Sequence, residues 1–203
     1  MSTITKGQGN DDILGGDGSD LILADRLPLD ALGGDDTVRA LGGDDTIYAF
    51  GGNNRLWGGE GDDVLITANG RDKIYGEEGH DDVQSGRGDD LVLGGSGDDT
   101  LRGGEDNDSL FGEEGSDRLV GGSNADTLNG GMGRDTLEGR GGADLLDLNG
   151  DAETDIVVLT GDDIGAVDKI LGFNTTLPAA GGDLIDLRAI DAGETERARA
   201  LLH

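Results

Sequence analysis

The sequence predicts an all-β fold in which short strands stack on one another, turn after turn. A nine-residue pattern recurs along 135 of the 203 residues, and repeats of fixed period are typical of stacked, coil-like architectures. Each copy ends in a short strand-like segment with one aliphatic residue in its middle. Glycine makes up 41 residues and recurs where the chain must turn between those segments.

Composition alone favours a different state. The chain has 44 Asp and Glu against 15 Lys and Arg, a formal net charge of −29, and 33% hydrophobic residues. Such a composition is typical of intrinsic disorder, because it offers too little apolar surface to offset the entropy lost on folding. The order of the residues argues against this alternative.

The repeat keeps a strict frame. Thirteen consecutive blocks of nine run without a gap from Ala31 to Asp147, and two more occupy residues 6–23. The sixth position is Asp in fourteen blocks and Asn in one, the eighth is aliphatic in all fifteen, and the fourth is Gly in thirteen. A disordered low-complexity tract has no reason to hold one aliphatic residue at every ninth position. We therefore predict an ordered fold.

Each repeat position has a role in the predicted fold. Glycine at the first, second and fourth positions permits positive φ and a close approach of the backbone. Positions seven to nine form a strand whose eighth side chain points inward and whose neighbours point outward. Two such strands on opposite sides of a coil, stacked through successive turns, form a narrow core. The aliphatic residues of that core are Ile13, Ile22, Val38, Ile47, Leu56, Leu65, Ile74, Val83, Val92, Leu101, Leu110, Leu119, Leu128, Leu137 and Leu146.

The nonapeptides resemble a known family. GGDGSDLIL (15–23), GGEGDDVLI (58–66) and GGSGDDTLR (94–102) fit the pattern GGxGxDxUx, where U is aliphatic. This pattern resembles the RTX (repeats-in-toxin) family of calcium-binding nonapeptides. The resemblance implies a right-handed parallel β-roll in which two nonapeptides form each turn. It also implies Ca²⁺ ions between the loops of successive turns, bound by sixth-position side chains and loop carbonyls.

The acidic residues give a physical reason for a cation. Neighbouring strands lie about 4.8 Å apart, so sixth-position carboxylates in successive turns repel one another. Ca²⁺ binds carboxylate and carbonyl oxygens, and the loops of the thirteen contiguous repeats allow roughly 11 ions between them. The calcium sites in the column of Asn54 should be weaker, because this residue lacks a carboxylate. The predicted metal-binding side chains are Asp11, Asp20, Asp36, Asp45, Asn54, Asp63, Asp72, Asp81, Asp90, Asp99, Asp108, Asp117, Asp126, Asp135 and Asp144.

A row of large apolar residues recurs at the outward ninth position. Trp57, Tyr75, Leu93 and Phe111 occur in every second nonapeptide and should line one outer face. Exposed strand positions favour such residues for their β-propensity alone. The row is alternatively a contact surface for the C-terminal segment, a second copy of the chain or an extracellular matrix partner.

Two regions depart from the repeat. Residues 24–30 break the nine-residue count and include Pro28, which cannot donate a hydrogen bond to a strand ladder, so we predict an irregular insertion within a roll spanning residues 1–147. Residues 148–203 form a second region, predicted to be a C-terminal β cap that also carries a type I secretion signal.

The C-terminal region contains strand-like segments at 155–163, 166–174 and 181–191, followed by a short helix candidate at 193–203. The order of these segments resembles the region that closes the roll in serralysin-type proteins. The matching residues are Asp168, Ile170, Phe173, Asp183, Ile185, Asp186 and Leu187. Asp155, Asp168 and Asp183 are further calcium-ligand candidates.

Several function classes are excluded. A net charge of −29 opposes phosphate binding, so no nucleic-acid partner is expected. The sequence contains no run of about 18 apolar residues, which is the length that a helix needs to cross a membrane. The chain has no Cys and only His80 and His203, and neither HExxH nor GxSxG occurs, so we predict that it is not an enzyme. His80 is expected to be a surface residue.

The predicted function is a secreted, non-catalytic calcium-binding β-roll with a structural, matrix or surface-associated role. The first ten residues lack an apolar signal sequence, which fits export through the type I secretion machinery of a Gram-negative bacterium, as the resemblance implies. Calcium outside the cell would then drive folding. The alternative is a non-catalytic export and folding module of a larger secreted enzyme or toxin.

Overall fold

A computed structural model describes residues 2–5, 11–23, 33–160, 167–175 and 182–189. The predicted insertion at 24–30 and the helix candidate at 193–203 lie outside these ranges. Every regular element in the described ranges is a β-strand, so the prediction of an all-β fold is confirmed.

From β4 to β16 the strands start at intervals of nine residues, which is the repeat spacing. Their bounds are β1 (Ser2–Thr5), β2 (Asp12–Gly16), β3 (Asp20–Leu23), β4 (Thr37–Gly42), β5 (Thr46–Ala49), β6 (Arg55–Glu60), β7 (Val64–Thr67), β8 (Lys73–Glu78), β9 (Asp82–Arg87), β10 (Leu91–Ser96), β11 (Thr100–Glu105), β12 (Ser109–Glu114), β13 (Arg118–Ser123), β14 (Thr127–Met132), β15 (Thr136–Gly141), β16 (Leu145–Asp147), β17 (Ile156–Thr160), β18 (Lys169–Leu171) and β19 (Leu184–Ala189).

These strands form two parallel sheets. Sheet 1 contains the odd-numbered strands in the order β1 to β19, and sheet 2 contains the even-numbered strands from β2 to β18. Within the repeats each strand pairs with the strand two places on, so that Val92 pairs with Leu110 and Leu101 pairs with Leu119. Paired residues are thus two nonapeptides apart in the sequence, which confirms the predicted coil of two nonapeptides per turn.

The core lies between the two sheets. Every eighth-position aliphatic residue is at most 2% exposed, from Ile13 to Leu146. The first repeat position also faces inward: Ala40 and Ala49 are fully buried, as the alternation of side chains along an extended strand requires. The core is therefore a double row of aliphatic residues one side chain deep.

The glycines divide into two kinds. Most second- and fourth-position glycines adopt positive φ, for example 131° at Gly104 and 123° at Gly97. First-position glycines do not, so for them the prediction of positive φ is wrong. Asp106 and Asn124, which replace the fourth-position glycine, keep φ of 81° and 78°. Asp and Asn tolerate this left-handed conformation better than most residues.

The two sheets extend beyond the contiguous repeats. At the N-terminus β2 pairs with β4 and β1 pairs with β3, although the sequence had not predicted a strand at β1. At the other end β17, β18 and β19 occur within the three segments predicted to be strand-like, and they pair with β15, β16 and β17. No helix able to cross a membrane occurs in the described ranges.

Truncation of one core residue should cost the protein much of its stability. Leu110 is fully buried and pairs with Val92 and Leu128. We expect Leu110→Ala to lower the free energy of unfolding by about 2–5 kcal/mol, because the narrow core cannot collapse around the cavity. Denaturant unfolding in saturating calcium measures this loss. Met132→Ala, at a side chain that is 61% exposed, is the control and should change stability by less than about 0.5 kcal/mol. Equal effects of both substitutions would contradict a core built on the eighth position.

Candidate metal centre

The sixth-position side chains lie in two columns parallel to the axis of the roll. Loop column 1 comprises the repeat positions one to six that lead into sheet 1 (15–20, 40–45, 58–63, 76–81, 94–99, 112–117 and 130–135). Loop column 2 comprises the described residues of those that lead into sheet 2 (11, 33–36, 49–54, 67–72, 85–90, 103–108, 121–126 and 139–144). Successive loops of one column are one turn of the roll apart.

A ladder of hydrogen bonds runs along each column. The Oδ1 atom of Asp99 accepts a bond from the backbone N–H of Asp81 at 2.8 Å, and Asp117 Oδ1 accepts one from Asp99 N–H at 2.8 Å. The same bond recurs in loop column 2, where Asp108 Oδ1 accepts from Asp90 N–H at 2.9 Å. Each Asp is thereby held by the turn before it.

The structure brings all the predicted metal-binding residues into these columns. Column 1 carries Asp20, Asp45, Asp63, Asp81, Asp99, Asp117 and Asp135. Column 2 carries Asp11, Asp36, Asn54, Asp72, Asp90, Asp108, Asp126 and Asp144. Apart from Asp11, which is half-buried, these side chains are all buried.

Three C-terminal residues continue the columns. Asp155 Oδ1 accepts from Asp135 N–H, Asp183 Oδ1 from Asp155 N–H, and Asp168 Oδ1 from Asp144 N–H. Their spacings from the preceding ladder residue are 20, 28 and 24 residues, so the strict frame does not include them. The signal in the sequence is an aliphatic residue two places after each Asp, as in the repeat.

The second carboxylate oxygen of most ladder residues is buried without a hydrogen bond. Within the described part of the chain, Oδ2 has no partner in Asp11, Asp45, Asp63, Asp72, Asp81, Asp90, Asp99, Asp108, Asp117, Asp126, Asp135 and Asp144. An unpaired buried carboxylate oxygen is costly. A periodic row of such atoms is an arrangement of anionic oxygens that cations would stabilise.

In eight loops the orphaned oxygen lies beside a first-position glycine, at Gly58, Gly76, Gly94, Gly103, Gly112, Gly121, Gly130 and Gly139, whereas loops 40–45, 67–72 and 85–90 have Ala40, Thr67 and Ser85 at that position. A Cβ at Gly94 would overlap Oδ2 of Asp99, and the carbonyl oxygen of Gly112 in the next turn lies 2.8 Å from the same point. We call the space bounded by the Oδ2 of one loop and the first-position carbonyl of the next the cradle. At these glycines the missing Cβ, and not a positive φ, makes room for the carboxylate oxygen.

The calcium-free carboxyls have strongly raised pKa values. Burial raises the pKa of Asp108 to about 8 and those of Asp63, Asp81 and Asp99 to about 7. The ladder N–H bonds act in the opposite direction, and neighbouring carboxylates of the same column add to the increase. Near neutral pH these groups are thus close to their titration points in the metal-free fold.

The donor set fits a hard cation. The cradles offer carboxylate and carbonyl oxygens, the ligands that Ca²⁺ prefers. No three His, Asp or Glu side chains of the described residues converge on one point, so backbone carbonyls must complete any coordination shell.

Asn54 is the exception in loop column 2. Its Oδ1 keeps the ladder by accepting from Asp36 N–H at 2.9 Å. Its Nδ2 donates within its own loop, to the carbonyl of Ala49 at 3.2 Å and to those of Gly51 and Gly52 at 3.4 Å. Sequence reasoning predicted the missing carboxylate but not these bonds.

The outer faces of the two sheets differ. On sheet 2, Trp57, Tyr75, Leu93 and Phe111 are in register on neighbouring strands and half-buried. Trp57 and Tyr75 stack with ring centroids 5.2 Å apart, and Arg39 lies 4.4 Å above Trp57. On sheet 1, ion pairs occupy the outer face: Glu138 binds both Arg118 and Arg140, and Asp82 binds Arg102.

His80 lies on the outer side of loop column 1, as expected for a surface residue. Its ring Nδ1 accepts from the backbone N–H of Asp98 at 2.8 Å, and its own N–H donates to Asp62 Oδ1 at 2.9 Å. The ring thus takes the place of a carboxylate in an exposed ladder formed by the fifth repeat position.

Comparison with known proteins agrees with this geometry. The profile of the RTX calcium-binding nonapeptide repeat (four copies) matches residues 7–26, 30–65, 57–92, 85–119, 93–128, 112–146 and 120–157. A search of curated proteins finds no match to the chain. The family profile covers well over half of the sequence, and its repeat is the unit that builds the two ladders. The chain belongs to the family of RTX calcium-binding nonapeptide repeat proteins.

Proposed function

We propose that the protein is a secreted, non-catalytic β-roll that folds as it binds calcium outside the cell and then serves a structural, matrix or surface-associated role. The observation that carries this proposal is the row of buried, unpartnered Oδ2 atoms in both loop columns. Those atoms are regularly spaced, negatively charged when ionised, and adjacent to backbone carbonyls.

The chain's own residues determine where the cations bind. The ladder N–H groups hold each Asp in one orientation, with Oδ1 engaged and Oδ2 directed into the cradle. First-position glycines keep that space open. When bound there, Ca²⁺ would supply the positive charge that these carboxylates lack and accept oxygen ligands from two successive turns.

We propose roughly 11 ions between the contiguous repeats, with about +22 of charge set against the net charge of −29. The ligands are the sixth-position side chains and loop carbonyls. Asp155, Asp168 and Asp183 continue the ladders, and we propose that they extend the binding columns into the C-terminal region.

We propose type I secretion from a Gram-negative bacterium as the route to the extracellular space. At the low calcium concentration of the cytosol, self-repulsion of the acidic columns would keep the chain unfolded and able to pass a channel. Residues 148–203 would carry the export signal, and β17, β18 and β19 would cap the open end of the roll. The alternative proposal is an export and folding module of a larger secreted enzyme or toxin.

The row of Trp57, Tyr75, Leu93 and Phe111 is our candidate for a partner surface, either for self-association or for an extracellular matrix component. The support is its continuity across four neighbouring strands of sheet 2. An apolar row of this kind on an otherwise highly charged surface is typical of contact sites.

A single amide substitution tests the metal-binding proposal. Asp99→Asn keeps an Oδ1 acceptor for the ladder but replaces the buried Oδ2 with an NH₂ group. We expect native mass spectrometry in calcium to show about one or two fewer bound ions than in the wild type, since a cradle loses a carboxylate ligand. Asp98→Asn, the exposed neighbour in the same loop, is the matched control and should keep the wild-type number. Equal calcium counts in all three proteins would refute the role of the sixth position.

A further inference from the structure

We infer that the loop 49–54 takes no calcium ion, because Asn54 has no carboxylate and its amide donates to loop carbonyls of the kind that an ion would bind. This inference rests on the proposed calcium sites and assigns one position at which they are interrupted. It treats Asn54 as a built-in substitute for a cation, not as a weak ligand.

The Asn54 amide is a hydrogen-bond donor to the carbonyl groups of its own loop. Asn54 Nδ2 donates to the carbonyls of Ala49, Gly51 and Gly52, at 3.2, 3.4 and 3.4 Å. Carbonyls of a turn are the backbone groups that a hard cation would bind. An amide NH₂ has two hydrogens and carries no net charge, so at least one hydrogen is shared between two of these oxygens, and the loop has no sixth-position carboxylate to neutralise.

The ladder passes through this loop without interruption. Asn54 Oδ1 accepts from Asp36 N–H at 2.9 Å, and Asn54 N–H donates to Asp72 Oδ1 at 2.7 Å. The next turns of loop column 2 add bonds that need no ion: Thr67 Oγ1 donates to the Ser85 carbonyl at 2.6 Å. Successive turns are thus joined here by ordinary hydrogen bonds.

Ring contacts join the same turns from the outside. Arg39, Trp57 and Tyr75 lie on β4, β6 and β8, which are consecutive in sheet 2, and they form one stack through the cation–π and ring contacts described above. Such contacts stabilise the pairing of strands independently of calcium. The turn that contains Asn54 is therefore held to its neighbours by hydrogen bonds between the loops and by ring contacts on the outer face of sheet 2.

Restoring the carboxylate tests the inference. We expect Asn54→Asp to bind about one more calcium ion than the wild type in native mass spectrometry, because Oδ2 replaces the amide donor. Asn53→Asp makes the same charge change at the exposed neighbouring position and should leave the count unchanged. An unchanged count in Asn54→Asp, with calcium bound elsewhere, overturns the inference; a wild type that binds no calcium refutes the proposed function instead.

A second variant covers the case in which Asn54→Asp fails to fold. Asn54→Ala removes the amide that donates to the loop carbonyls, so the denaturation midpoint in calcium should fall while the number of bound ions stays at the wild-type value. Fewer ions in Asn54→Ala than in the wild type would mean that Asn54 was itself a calcium ligand, which also overturns the inference.

Discussion

Removal of calcium at neutral pH is expected to unfold the chain. For 203 residues the radius of gyration should rise from about 17 Å for a compact chain towards about 48 Å for an unfolded one. The physical reason is that the ladder carboxylates are buried and stacked, so their charges repel one another in a medium that screens them poorly. The aliphatic core, one side chain deep, is too thin to offset that repulsion.

Small-angle scattering and circular dichroism, with excess chelator and again with millimolar Ca²⁺, measure this transition. Strand content should disappear in chelator and return with calcium. Magnesium at the same concentration is the control, because it demands a tighter octahedral shell and dehydrates reluctantly, and should restore little structure. Equal strand content in chelator and in calcium would show that the roll does not depend on the ion.

Acid is expected to restore part of the fold when calcium is absent. In the metal-free fold, burial raises the pKa of most ladder carboxyls above 3.8, for example to about 6 at Asp117 and to about 8 at Asp108. A group whose folded pKa is raised contributes stability that is complete below its unfolded pKa and is lost as the pH rises through the folded value. The metal-free fold should therefore gain stability as the pH falls from 8 to 5.

Calcium affinity should change in the opposite direction. Protons compete with the ion for the same carboxylates, so the affinity should fall as the pH decreases through the range from about 8 to about 6. Circular dichroism in chelator between pH 8 and pH 5, above the isoelectric point of about 4.1, measures the first effect. Calorimetric titration with calcium measures the second.

High salt at pH 8 is the control for the acid experiment. At about 1 M NaCl the Debye length is about 3 Å, so surface repulsion is screened while buried carboxylates are affected much less. If salt alone restored as much strand content as acid, general repulsion would explain the result and protonation of the ladder would not. Strand content that fell on acidification would contradict the expected direction.

Much of the roll could be predicted because a given position of the repeat has the same surroundings in every copy. Leu110 and Leu128 are both buried, as the inward direction of the eighth position requires. The alignment of Asp99 with Asp117 follows from the same spacing, since one turn of the coil is two repeats. A period imposed over many copies leaves few alternatives.

The roles that depend on atoms of another turn could not be predicted in this way. The glycine at position 94 resembles that at position 97 in the sequence, yet only Gly97 has positive φ, while Gly94 makes room for Asp99 Oδ2. Asp155 and Asp168 lie outside the nine-residue frame, and only the hydrogen bonds between turns assign them to the columns.

The sequence by itself determined the period, the buried aliphatic rows, the two acidic columns and the family. Those features depend on residue type at a fixed spacing, and that spacing can be read directly from the amino-acid sequence. Only the tertiary structure decided which carboxylate oxygen has no partner, that a first-position glycine such as Gly94 makes room for that oxygen, and that the Asn54 amide binds its own loop. These are properties of atoms that meet within a loop or across successive turns, where distance and direction, not residue identity, determine the interaction.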